Sequence, residues 1–194
     1  TDSSIRPNQL LAVGGLPWPL ITGDRARRVV DCVEARLWTP AGLRSLAPED
    51  DRYVGTYGGD MRTRDGAYHQ GTVWPWLAGA FIEGWVRVHG GGPDAQHAAR
   101  QRFLQPLLAH YQDSAPGHLG EIADGDAPHR PNGCPFQAWS VGEALRLTEV
   151  ILPQGGSGTG GDGRAQHQRA LEGAMRNEPA SVAPARAAMP APMA

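Results

Sequence analysis

Residues 71–89 most constrain what this chain can become. In the run GTVWPWLAGAFIEGWVRVH, Val73, Trp74, Trp76, Leu77, Phe81, Ile82, Trp85 and Val88 surround a helix on nearly every side. A helix that is apolar all round has no face to offer water and is normally buried by other elements. Gly79 and Gly84 cost helix propensity, which points to the close approach of a neighbouring helix. The rest of the chain is expected to supply that surrounding shell.

The flanking segments read as helices of that shell. RPNQLLAV, at residues 6–13, begins a packed helix that Gly14, Gly15 and Pro17 end. Over residues 24–38, Ala26, Val29, Val30, Val33 and Leu37 fall on one stripe, while Arg25, Arg28 and Arg36 face elsewhere. Thr22 or Asp24 suits its start. Residues 39–68 show no clean period and read as a long connection. Its aromatics Tyr53, Tyr57 and Tyr68, set among Arg44, Asp60, Arg62, Arg64 and Asp65, favour an ordered, functional loop over a disordered one. After a turn at residues 90–93, Asp94 caps a helix over 95–111, which Pro106 bends or splits. A final helix spans 135–151, with Pro135 in its first turn. The count is five helices with no useful strand alternation, an all-α fold built from helical hairpins. Beyond Leu152 the chain turns to QGGSGTGGDG and an Ala/Pro/Arg-rich run. Residues 1–152 are therefore expected to form one domain and 153–194 a disordered tail, with a transient helix near 165–175.

Charge and cysteine usage exclude several functions. A formal net charge of −2 with no basic cluster argues against a nucleic-acid face. Cys32 and Cys134 form neither a metal motif nor a disulfide framework. No apolar run is long enough to span a bilayer and no signal peptide is evident. A soluble, reducing, cytoplasmic setting is expected.

Chemistry concentrates in residues 117–146, GHLGEIADGDAPHRPNGCPFQAWSVGEALR. This loop carries the carboxylates Glu121, Asp124 and Asp126 beside His118, His129 and Arg130 before it enters the last helix. A carboxylate loop fixed to a buried helix is a reasonable place for acid–base work, although a solvated acidic loop has the same composition. On chemical grounds the three carboxylates are rivals. A metal site from His118, Glu121, His129 and Cys134 fits no standard zinc spacing, so no metal is expected.

Several separate runs, in order, carry a family resemblance: IRPNQLLAV, GLRSLAPEDDRY, RDGAYHQGTVWPWLAGAF, GEIADGDAPHRPNGC and QAWSVGEALRL. Residues 5–151 resemble the C-terminal, amylo-α-1,6-glucosidase domain of glycogen debranching enzymes, a glucoamylase-like six-hairpin α/α barrel. The resemblance implies a partial barrel, this chain providing about the last five helices and needing the missing N-terminal half. It also implies inverting hydrolysis of α-1,6-linked glucose from glycogen or a related α-glucan, without a cofactor.

The same resemblance places the general base at Glu121 and the general acid upstream of residue 1, so the chain is expected to be inactive alone. Inversion needs two carboxyl groups roughly 6.5–9.5 Å apart, one protonating the leaving oxygen and one activating water. Polar neighbours such as His129 and Arg130 would keep the base ionised. His69, Gln70, Trp74 and Trp76 suit sugar recognition, which pairs flat apolar faces with hydroxyl partners. Arg44, Arg6 and Asn8 match pocket-lining loops of similar proteins. Core packing is the competing role for Trp76, a helix-start hydrogen bond for His69, and core packing the favoured one for Trp85 and Trp139. The alternative to an enzyme is a non-catalytic helical carbohydrate-binding or interaction module.

Overall fold

The computed structural model of the chain describes residues 2–153. The expectations for a disordered tail and a transient helix at 165–175 lie outside those residues.

Helix α3 (Leu77–Val88) occupies the centre, with every residue from Leu77 to Val86 buried. Around it pack α1 (Gly23–Arg36), α4 (Pro93–Ala99), α6 (Ala138–Arg146) and the 3₁₀ turn Pro7–Ala12. The shell that the apolar run demands is therefore present. Ala26, Val30 and Val33 form the inner stripe of α1, as their spacing predicts. Trp38 stacks on Phe81 at 5.2 Å and meets Phe103 edge-on at 5.1 Å, joining the end of α1 to the core. Trp85 is buried, as expected, and its indole N–H donates to Glu34.

Several helix ends differ from the sequence reading. Pro7 opens a 3₁₀ turn rather than an α-helix. Thr22 stands at the N-cap of α1 without a side-chain capping bond. Helix α4 starts at Pro93, so Asp94 sits in its first turn instead of capping it. Helix α6 starts at Ala138, leaving Pro135 in the preceding loop. Pro106, expected to bend or split its helix, stands in the first turn of a separate α segment, directly after a π turn that interrupts the helix. The π turn, at Arg100–Leu104, links α4 to α5 (Gln105–Gln112), and the Gln105 N–H reaches back to the Arg100 carbonyl. That register change comes directly before the ring that would otherwise crowd the carbonyl one turn earlier.

The all-α expectation needs correction. Among the described residues there are six α-helices and a small antiparallel sheet of order β1-β2-β3-β4-β5. Its strands are β1 (Trp38–Thr39), β2 (Gly42–Arg44), β3 (Val73–Trp74), β4 (Ile122–Ala123) and β5 (Pro131–Asn132). Leu43 faces Trp38 on one side and Trp74 on the other, and Val73 faces Ala123. Pro131 lies on the outer strand, where its missing N–H breaks no ladder bond. Segments of two or three residues are too short to show alternation. The connection over 39–68 also holds helix α2 (Met61–Ala67), capped by Asp60, whose carboxylate accepts the Thr63 N–H at 2.9 Å. Among the described residues no helix is long and apolar enough to cross a membrane.

Candidate functional site

The sheet brings together segments far apart in sequence. Strands β4 and β5 carry the 117–137 loop, and β3 presents the end of the tryptophan run beside it. Glu121 directly precedes β4. Its backbone N–H donates to the Cys134 carbonyl at 2.8 Å, and its Oε2 accepts the Cys134 N–H at 2.8 Å. The other oxygen, Oε1, accepts the Tyr68 hydroxyl. A carboxylate offers about four acceptor positions, so two fixed donors leave capacity for a water proton. Gly133, at φ +70°, makes this approach possible, since a Cβ there would lie 2.6 Å from Oε2.

The rival carboxylates are engaged otherwise. Asp124 is buried and accepts from the Tyr57 N–H at 2.8 Å and the Asn132 amide at 2.9 Å, tying the 53–57 segment to β5. Asp126 accepts the Tyr53 hydroxyl at 3.0 Å. Burial and that bond push the Tyr53 phenol up to about 12. His129 and Arg130, expected beside the base, bond elsewhere. His129 Nδ1 lies 3.0 Å from the Asp124 carbonyl, and the Arg130 carbonyl accepts the Asp124 N–H. Burial lowers the His129 pKa and outweighs its backbone contact. The ring of His118 packs on Phe136 at 4.7 Å. Among the described residues no group of three or more His, Cys, Asp or Glu is placed to hold a metal ion.

A cleft of about 460 Å³ has walls that include Arg6, Asn8, His69, Trp74, Trp76 and Trp139; Glu121 does not line it and is joined to it through Tyr68, which bonds the carboxylate and meets Trp74 edge-on at 4.9 Å. His69 stacks on Trp74 at 5.4 Å, and Trp76 stacks on Trp139 at 5.4 Å. Arg6 is partly committed, bonding the Ser45 and His69 carbonyls and the Gln70 side chain. Gln70 thus supports the wall from behind. Arg44 does not line the cleft; its Nε donates to the Gly125 carbonyl at 2.9 Å and steadies the acidic loop. Trp139, read from the sequence as core, is 50% exposed. The signal was available, because Ser140, Ala144 and Leu147 form the buried stripe of that helix and Trp139 sits beside it. Tyr68 and the Cys134 N–H, the two donors to Glu121, carried no such signal.

The mostly helical fold thus carries a carboxylate held from two sides and, one tyrosine away, a cleft walled by tryptophans, whose flat apolar faces are of the kind that suit ring-shaped polar ligands. The sequence model of the amylo-alpha-1,6-glucosidase family matches residues 1–146, and the chain belongs to that family. It is also similar to the glycogen debranching enzyme of Saccharomyces cerevisiae (strain ATCC 204508 / S288c), 29% identical over 164 residues. That match covers 75% of this chain but 11% of the yeast protein, so the chain spans a small part of its relative's length.

Proposed function

We propose that this chain contributes the water-activating side of a glycoside hydrolase site for glycogen or a related α-glucan. Glu121 is its general base. Family membership supports the substrate class. The observation that carries the chemistry is the Glu121 carboxylate, held by one donor on each oxygen and linked through Tyr68 to the tryptophan-walled cleft. The glucosyl ring lies against the indoles, and Asn8, His69 and Arg6 address its hydroxyls. Glu121 removes a proton as water attacks the anomeric carbon. The glycosidic C–O bond breaks on the opposite face, and its oxygen takes a proton from a second carboxyl group. Asp124 and Asp126 are bound in place by Tyr57, Asn132 and Tyr53, so that acid comes from outside the 117–146 loop. On this reading residues 1–152 are part of a six-hairpin α/α barrel, with α3 and α6 among its inner helices, and 153–194 are an appended tail.

The test is Glu121→Gln in the longest natural polypeptide containing this chain, assayed for glucose release from a branched dextrin. The amide keeps the shape but cannot take the proton. We expect kcat to fall roughly 10²–10⁴-fold with KM nearly unchanged, and β-glucose as the first product of the parent protein. Near-normal kcat in the variant removes Glu121 from the role. Binding of the dextrin without any turnover in the parent would favour a carbohydrate-binding module instead.

A further inference from the structure

We infer that Tyr68 is a positioning residue for the reaction, its hydroxyl fixing the Glu121 carboxylate in the orientation that water activation requires. The inference rests on the proposed role of Glu121, and it assigns Tyr68 a part that its place in the sequence does not suggest.

Four observations converge on the phenol. Tyr68 closes the C-terminal end of α2, and that end is tied down locally. The Thr72 hydroxyl and the Gln70 N–H both donate to the Ala67 carbonyl, at 2.8 and 3.0 Å. Its ring is then enclosed by aromatic neighbours: Trp74 edge-on at 4.9 Å, His69 at 4.9 Å and Tyr57 at 5.9 Å. The Trp74 indole N–H donates to the Tyr68 carbonyl at 3.3 Å, so one cleft tryptophan holds the residue's backbone as well as its ring. Finally, the hydroxyl has Glu121 as its partner across a separation of 53 residues. A side chain gripped on this many sides has little rotational freedom left, so its hydroxyl is a fixed point rather than an adaptable one.

The electrostatics agree. Burial first, and then the neighbouring Glu121, push the Tyr68 phenol well above its ordinary range. It therefore stays protonated at any pH where a glycosidase works, and the hydroxyl remains a donor. With Tyr68 on Oε1 and the Cys134 N–H on Oε2, rotation of the carboxylate would cost both hydrogen bonds. The remaining acceptor positions then keep one direction, which is what in-line activation of a water needs. Trp74 lines the cleft and touches Tyr68, so a ligand seated on the indoles bears on the same assembly that aims the base.

The test is Tyr68→Phe in the same natural polypeptide, beside Glu121→Gln. We expect kcat to fall roughly 10- to 100-fold, the worth of one hydrogen bond to a charged group. KM and melting temperature should stay near the parent values, a split that a merely structural residue would not give. An unchanged kcat, or a loss confined to KM, overturns the inference while leaving Glu121 in place. Full turnover in Glu121→Gln, or no turnover in the parent, overturns the underlying reading instead. A second measurement needs neither activity nor the Tyr68 variant. In the 194-residue chain labelled at tyrosine Cζ, NMR titration of one phenol should move to lower pH in Glu121→Gln, because the neighbouring negative charge is gone. No tyrosine moving would show that the two side chains do not meet.

Discussion

At the scale of single residues, Gly133 shows how narrowly the carboxylate is seated. Its φ of +70° disfavours any L side chain, and its missing Cβ is the space that Glu121 Oε2 uses. Gly117 has nearly the same backbone, φ +73°, but a Cβ there would meet nothing within 4 Å. The two glycines therefore separate backbone strain from site geometry. Gly133→Ala and Gly117→Ala should each lose about 1 kcal/mol or somewhat more in denaturant unfolding. Only Gly133→Ala should also depress kcat, by pushing the carboxylate off its two donors. Equal effects of the two substitutions on turnover would show that the space beside Oε2 is immaterial. Among three carboxylates that loop chemistry leaves as rivals, Glu121 could be named from the sequence only as a candidate, through the family motif it matches. Tyr68 could not be, because its partner lies 53 residues away and no local period links them.

At the scale of elements, the glycine that lies nearest to another segment's backbone joins a loop to a helix. A Cβ on Gly14 would collide with the Ala80 carbonyl and lie 2.7 Å from the Gly84 nitrogen, both backbone atoms of α3 that cannot rotate away. Gly14→Ala should therefore destabilise by about 1–3 kcal/mol. Gly142, in α6, meets nothing within 4 Å, and Gly142→Ala should add roughly 0.5–1 kcal/mol through helix propensity. Urea midpoints moving in opposite directions at constant slope would bear this out; a stabilised Gly14→Ala would contradict the packing. The sequence singled out Gly79 and Gly84 instead. Gly79 does lie beneath the Glu143 carboxylate of α6, while Gly84 makes ordinary contact with Val13 and Val30. Helices were readable because their apolar stripes repeat over several turns. The five strands were not, because each is two or three residues long and its partners are set by distant parts of the chain.

At the scale of the whole molecule, three phenols make stability depend on alkaline pH. Burial raises Tyr53, Tyr68 and Tyr111, with help from Asp126 for the first and Glu121 for the second. In the unfolded chain a phenol titrates near 10. A raised folded value means the stabilisation is fully present below about pH 10, where both states are protonated. It is lost as pH rises further, through about 12 for Tyr53 and beyond that for the other two. Unfolding free energy, followed from about pH 8 to about pH 11, should be level at first and then fall, the slope approaching about 1.4 kcal/mol per pH unit for the buried Tyr111 and staying smaller for Tyr53 and Tyr68, which water partly screens. Tyr53→Phe should make the fall shallower. A profile without a decline would place these rings in water.

The sheet carries a consequence for sequence change. Its central link, Val73 opposite Ala123, is a single residue pair, and the side chains of Val73 and Trp74 point to opposite faces. Moving that strand by one position would exchange the faces taken by the Val73 and Trp74 side chains and withdraw the indole from the cleft wall. The number of residues between Arg44 and Val73, and between Trp74 and Ile122, is thus part of the specification, as binding as any side chain. A single-residue insertion in either connection would have to be absorbed before the strand or it would rewrite the binding wall without altering one residue of it.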